Sequence, residues 1–286
     1  MNPKINHLYG EYRKGNVDRR GFLKKLAMLA GGTAAAYSLL PLLEGSQVQA
    51  AGISAQPRIH TEMIKYPGGS GEVMAFMARP ATEKNMPAVI VIHENKGLVS
   101  HIKDVARRMA TEGFLVLAPD ANSPLGGTPE DDPDSGRTMM RELDNEKTVE
   151  DFVAAVKYLD THPLTNGKVG CTGFCWGGGM TNTVAVNAPE LDAAVPYYGS
   201  QPDPEDVPKI KAAVMAHYAG NDDRINAGIE EFEKALKEAG VEYSIYIYEG
   251  TSHAFNNDSN PGRYHEQAAK KAWERTVKFF RDKLSG

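Results

Sequence analysis

Gly173-Phe174-Cys175-Trp176-Gly177 decides how the rest of this 286-residue chain is read. An apolar run, Lys168 to Thr172, leads into it, and a small-residue run that reads as a helix start leads out. Strand, sharp turn, helix is the pattern of a nucleophile elbow. The central residue is forced into a strained backbone conformation, and glycines two places to either side remove side chains that would collide. Here the turn presents a thiol. A free cysteine has a pKa of about 8.5, and a helix N-terminus aimed at the sulfur is expected to raise its thiolate fraction. Taken alone, the pentapeptide fits a buried cysteine on a glycine-rich bend equally well, so the choice rests on what other segments bring to the same place.

Outward from the elbow, short strands alternate with helices. Ala88 to His93 is an apolar run of the kind buried on both faces of a parallel sheet, and Ile102, Val105, Ala106 and Met109 recur at helical spacing in the segment that follows, His101 to Glu112. Phe114 to Ala118 is the next strand. A polar loop, Pro119 to Gly136, leads to a long helical stretch ending near Asp160. Beyond the elbow, Leu191 to Tyr197, Lys211 to Tyr218 and Glu242 to Tyr248 repeat the strand theme, with Ile225 to Ala239 and Tyr264 to Leu284 helical. Before it, Arg58 to Lys65 and Glu72 to Ala78 flank Pro67-Gly68-Gly69-Ser70-Gly71, which predicts an antiparallel hairpin. The alternation predicts an α/β fold: a mostly parallel twisted sheet, helices on both faces, right-handed crossovers, and a ligand site at the carboxyl ends of the strands.

The first 50 residues read differently. Asp18-Arg19-Arg20-Gly21-Phe22-Leu23-Lys24-Lys25 precedes a moderately apolar run, Leu26 to Leu43, and then Val48-Gln49-Ala50, a small-residue cleavage pattern. It resembles a bacterial twin-arginine signal, which implies folding before export, recognition by the twin-arginine machinery, cleavage after Ala50 and a periplasmic location. The apolar run contains glycines and Pro41 and is barely long enough to span a bilayer, so no stable membrane anchoring is expected. Residues 51–286 then form a single domain. The net charge is −5; the leader holds seven Lys/Arg against three Asp/Glu, which leaves −9 on the rest and disfavours nucleic acid as a partner. Only two cysteines exist. On one extended segment Cys171 and Cys175 lie roughly 13 Å apart, beyond disulfide reach, so Cys171 reads as a core residue.

An activated nucleophile needs a base, and the base needs an orienting carboxylate. Gly220-Asn221-Asp222-Asp223-Arg224 follows one late strand and supplies Asp222, with Asp223 as a competitor whose expected job is solvated or loop-capping. Glu249-Gly250-Thr251-Ser252-His253-Ala254-Phe255 follows the last strand and supplies His253. Singly, each also fits a turn former or a surface histidine; together with the elbow they make a Cys175, Asp222, His253 triad. For the oxyanion of an acyl transfer, the backbone N–H groups of Trp176 and Asn95 are the candidates. Glu94 opens the same loop as Asn95, and if it points at the thiol, desolvation raises its pKa and makes it a second proton acceptor. His93, Glu94 and His101 have no fixed helical register and no further ligand beside them, so neither a metal nor a cofactor is called for.

In combination, Gly173-Phe174-Cys175-Trp176-Gly177-Gly178, His93-Glu94, Gly220-Asn221-Asp222 and Ser252-His253-Ala254-Phe255 resemble the dienelactone hydrolases (carboxymethylenebutenolidases) of the α/β-hydrolase fold, from about Ile59 to Leu284. The resemblance implies that Cys175 attacks an ester or lactone carbonyl and forms an acyl-enzyme, that His253 shuttles the proton and Asp222 orients it, and that Glu94 takes the thiol proton when substrate arrives. It also implies a resting thiol that is mostly uncharged, which spares it oxidation. The family places an arginine four residues after the histidine to hold the substrate's carboxylate, and this chain has Asn257 there. The resemblance therefore carries the hydrolytic chemistry but not specificity for dienelactone. Arg137, Tyr198 and Asn257 are the candidate substrate contacts, with Arg263 beside the same loops. The rival reading is a small-ligand-binding or sensor protein that kept the fold without turnover.

Overall fold

The structure, a computed structural model, describes residues 58–285 apart from residue 82 and, before them, residues 5, 8, 9, 11, 12, 17 and 19–30. The chain divides into two compact units, Met1–Pro57 and Arg58–Gly286. In the first, helix α1 (Arg19–Ala30) buries Phe22 and Leu26 in a small apolar cluster with Ile5, Leu8 and Tyr9. No helix among the described residues is long and apolar enough to cross a membrane. The expected apolar run beyond Ala30, the cleavage point after Ala50 and the domain start at 51 lie outside the described residues.

In the second unit, alternating and continuous apolar runs pair into one sheet. Its strands are β1 (Ile59–Gly68), β2 (Gly71–Pro80), β3 (Met86–Ile92), β4 (Leu115–Pro119), β5 (Thr165–Phe174), β6 (Ala193–Tyr197), β7 (Ala213–Asn221) and β8 (Tyr243–Ser252). They lie in the order β1-β2-β4-β3-β5-β6-β7-β8. β1, β2 and β4 pair antiparallel, and all pairs from β4 across to β8 are parallel. The period of two explains the run Ala88 to Ile92. Val89 and Val91 enter one core with Ile102, Val105 and Met109 of α2 (Ser100–Thr111) and Ala272, Val277 and Phe280 of α8 (Glu266–Leu284). Ala88, Ile90 and Ile92 enter the other, with Phe152, Val156 and Leu159 of α4 (Asn145–Asp160) and Val184 of α5 (Trp176–Asn187). A strand buried on both faces needs no polar face, which is why its sequence does not alternate.

The hairpin forms with a tighter turn than the glycine-rich stretch suggests, because β1 and β2 stay paired to Gly68 and Gly71. Asp151 of α4 holds the turn, accepting from Ser70 N at 2.8 Å and Ser70 Oγ at 2.6 Å. Two helical readings are corrected. The expected loop to Gly136 contains a separate helix, α3 (Pro133–Met139), started by Asp132, whose side chain accepts from Ser135 N. Asp144 caps α4 afresh, accepting from Glu146 N and Lys147 N. The expected helix from Ile225 to Ala239 is two, α6 (Asp223–Asn226) and α7 (Ile229–Glu238). Gly228 stands between them where a Cβ would lie 2.5 Å from Gln201 Oε1, and Asn226 turns its amide back onto Ala219 O. Both cysteines are free, and Cys171 lies buried on β5, where burial pushes its thiol up to about 12.

Candidate active site

Because β3, β5, β7 and β8 run parallel, their carboxyl ends meet at one rim, and the candidate catalytic side chains stand just beyond those ends. Cys175 is the first residue after β5, Asp222 the first after β7, His253 the first after β8, and Glu94 the second after β3. The elbow is a true elbow: Cys175 has φ 58° and ψ −113°. A Cβ on Gly173 would come within 2.2 Å of Gly177 O, and one on Gly177 within 2.4 Å of His93 O, so neither position admits a side chain.

His253 Nδ1 lies 2.5 Å from Asp222 Oδ2, and the Asp222 side chain is 9% exposed. The ring therefore carries a proton on Nδ1 and donates it to the carboxylate, leaving Nε2 as the basic nitrogen. Asp223, by contrast, is exposed in the first turn of α6. Cys175, His253 and Glu94 all line one cleft of about 1000 Å³.

The helix N-terminus alone does not set the charge state of the thiol. Burial pushes its pKa up, and the neighbouring Glu94 charge adds to that, outweighing the Trp176 N–H, which bonds the sulfur, and the Arg224 guanidinium. At rest Cys175 is a thiol. Glu94 is raised as well, by burial first, against the pull of Asn257, His253, Lys96 and Arg263. Its Oε2 accepts from Asn257 Nδ2 at 2.6 Å.

Asn257 is thus in the cleft, but as a partner of Glu94 rather than a free substrate contact. Its Oδ1 is taken too, by Ser259 N at 3.0 Å and Ser259 Oγ at 2.6 Å. Tyr198 is corrected more fully. With φ 38° it turns its ring inward, 1% exposed, and packs beneath His253 at 5.1 Å between ring centroids and against Phe255 at 5.4 Å, off the cleft wall. Arg137 and Arg263 do line the cleft, as does Asn95, which is exposed. Trp176 brings its N–H to the sulfur while its indole stacks on His93 at 5.3 Å and 13°.

His93 has no nitrogen to spare for a metal. Ala121 N donates to Nε2 at 3.1 Å, so the proton is on Nδ1, which gives it to Glu94 O at 2.6 Å. Burial lowers the pKa of this ring and keeps it neutral. Arg224 and Lys96 also line the cleft and were not singled out from sequence. Arg224 could have been found: it sits two residues after the carboxylate that orients His253, inside the motif already quoted.

Comparisons with known proteins give the family and the fold. The model of the dienelactone hydrolase family matches residues 73–284. A protein of Saccharolobus solfataricus named "Putative carboxymethylenebutenolidase" is 32% identical over 255 residues, covering 76% of this chain and 97% of its own. One of Salmonella typhimurium with the same name is 33% identical over 238 residues, covering 78% and 87%. Among solved structures, that titled putative dienelactone hydrolase of Klebsiella pneumoniae superposes with a TM-score of 0.68 at 28% identity, covering 78% of this chain and 98% of that one. A dienelactone hydrolase-like promiscuous phosphotriesterase, P91, from metagenomic libraries shares the fold with a TM-score of 0.69 at 20% identity, covering 79% and 99%. With its α/β-hydrolase sheet and a match over most of its length, the chain belongs to the dienelactone hydrolase family and is a hydrolase acting on esters or lactones.

Proposed function

We propose that the protein cleaves a small ester or lactone through a Cys175 acyl-enzyme. The thiol gives its proton to Glu94 as Sγ attacks the carbonyl carbon, and the oxyanion is held by the backbone N–H groups of Trp176 and Asn95. The tetrahedral intermediate collapses, the C–O bond breaks, and the proton lost by sulfur reaches the departing oxygen through His253. Water then attacks the thioester while His253 Nε2 takes its proton, and the thiolate leaves and is reprotonated. Asp222 keeps His253 in the tautomer that this requires. The single observation that best supports the reading is the juxtaposition, in one cleft, of a strained thiol, a carboxylate, and an imidazole backed by a buried aspartate 2.5 Å away.

The test is a panel of p-nitrophenyl esters and small lactones. Cys175→Ala and His253→Ala are each expected to lose on the order of 10⁴-fold in kcat. Equal background hydrolysis by wild type and both variants would turn the reading to a ligand-binding or sensor protein. We further propose export by the twin-arginine pathway to the periplasm, on the strength of Arg19-Arg20 ahead of the apolar run Leu26 to Leu43 and the small-residue pattern Val48-Gln49-Ala50 that follows it. Fractionation of cells making wild type and the Arg19→Lys, Arg20→Lys variant tests this. Retention of wild type in the cytoplasm would refute it.

A further inference from the structure

The loop that carries His253 and the loop that carries Glu94 are joined twice, by consecutive residues. Asn257 Nδ2 donates to Glu94 Oε2 at 2.6 Å, and next along the chain Asp258 Oδ1 lies 3.2 Å from His101 Nδ1. Glu94 opens the connection between β3 and α2, and His101 stands in the first turn of α2. The two contacts therefore grip both ends of one short segment.

The second contact is enclosed on its His101 side. The His101 side chain is only 7% exposed, and Arg108 Nη1 reaches the other carboxylate oxygen of Asp258 at 3.2 Å. Burial holds the His101 ring on the neutral side, and a neutral imidazole facing a carboxylate carries its proton on Nδ1 as a donor. Beyond Asn257 the loop is exposed and closed by short turns of its own, Asn260 N to Asn257 O at 3.1 Å and Arg263 N to Asn260 O at 3.0 Å. Asp258 ties it to α2. The amide of Asn257 is oriented from this same loop, because Ser259 donates twice to its Oδ1.

We infer that the His101–Asp258 pair is a positioning device for the active-site carboxylate: it fixes the loop whose Asn257 amide holds Glu94, and so sets how readily Glu94 leaves for the thiol. The inference rests on the reading of Glu94 as the base for Cys175. When Glu94 swings towards sulfur the first tie opens, and the second keeps the two loops in register so that the first can close again.

The rate at which iodoacetamide alkylates Cys175 in the whole protein at neutral pH reads thiol activation without turnover, since Cys171 is buried. Asp258→Ala and His101→Leu are each expected to shift it roughly three- to tenfold, the scale of one polar contact. His101→Asn, whose amide N–H can stand in for Nδ1–H, should stay within about twofold of wild type. Asp258→Ala added to Asn257→Ala should change nothing further, because both act by freeing Glu94, and in a Glu94→Gln background the Asp258 effect should vanish. Asp258 is 41% exposed, so its variant is expected to fold even where His101→Leu does not. A wild-type rate in Asp258→Ala, additivity with Asn257→Ala, or an effect that survives Glu94→Gln would overturn the inference. This alkylation pattern in a protein that hydrolyses no ester would instead sink the proposed reaction and leave the positioning role standing.

Discussion

Acid is expected to undo this fold through His217, a residue outside the cleft lining. His217 lies on β7, fully buried, with Nδ1 3.0 Å from Tyr248 Oη and Nε2 3.1 Å from Thr276 Oγ1. Burial, helped by the Arg275 charge, lowers its pKa from 6.5 to about 3. The folded state thus holds the ring neutral where the unfolded chain would protonate it. Between those two values the unfolded state binds the extra proton, so the stability this group confers is complete above pH 6.5 and drains away as pH falls towards 3. At about 1.36 kcal/mol per pH unit, a drop from pH 7 to pH 4 removes about 3 kcal/mol. For a domain of this size that is a fall in Tm of about 6–12 °C. Denaturant unfolding of wild type and His217→Gln across that range isolates the proton. The variant starts less stable but should lose about 3 kcal/mol less than wild type on acidification. Parallel losses in the two proteins would refute the assignment of a neutral buried imidazole.

Alkylation of Cys175 against pH should show a midpoint above that of a free cysteine, and Arg224→Gln, which removes a charge that favours the thiolate, should move it higher still; a midpoint below the free value would be the contrary result. Asp151→Ala should cost about 3 kcal/mol in urea unfolding, since it strips the β1–β2 turn of two hydrogen bonds to a buried carboxylate that is 1% exposed. Gly177→Ala should lower kcat/KM by about 10²-fold or more and stability by about 3 kcal/mol, because its methyl would meet the His93 and Ile92 carbonyls at 2.4 and 2.6 Å.

What could be read from the chain was whatever is local. The run Ala88 to Ile92 announces a strand buried on both faces, and Gly173 and Gly177 announce a turn that tolerates no side chain. Each candidate residue could be located because it lies within two residues of a strand's carboxyl end. Where two distant segments meet, the reading failed or stayed silent. The break between α6 and α7 depends on Gln201, twenty-seven residues before Gly228. The fate of Asn257 depends on Glu94, 163 residues away. Tyr198 looks like a cleft residue on a strand end until its positive φ turns it into the core. The charge state of Cys175 cannot be read from the helix alone, because burial and the Glu94 charge are products of the whole assembly.

The stacking of Trp176 on His93 has a practical side. The chain has two tryptophans, and the other, Trp273, lies on α8. A Trp273→Phe protein would emit from a single indole one residue away from the reactive sulfur, face to face with a ring that burial keeps uncharged. Its fluorescence would then be a built-in gauge of events at the elbow. Ligand arrival, and the acylation proposed for Cys175, could be timed in a stopped-flow cell without any dye attached.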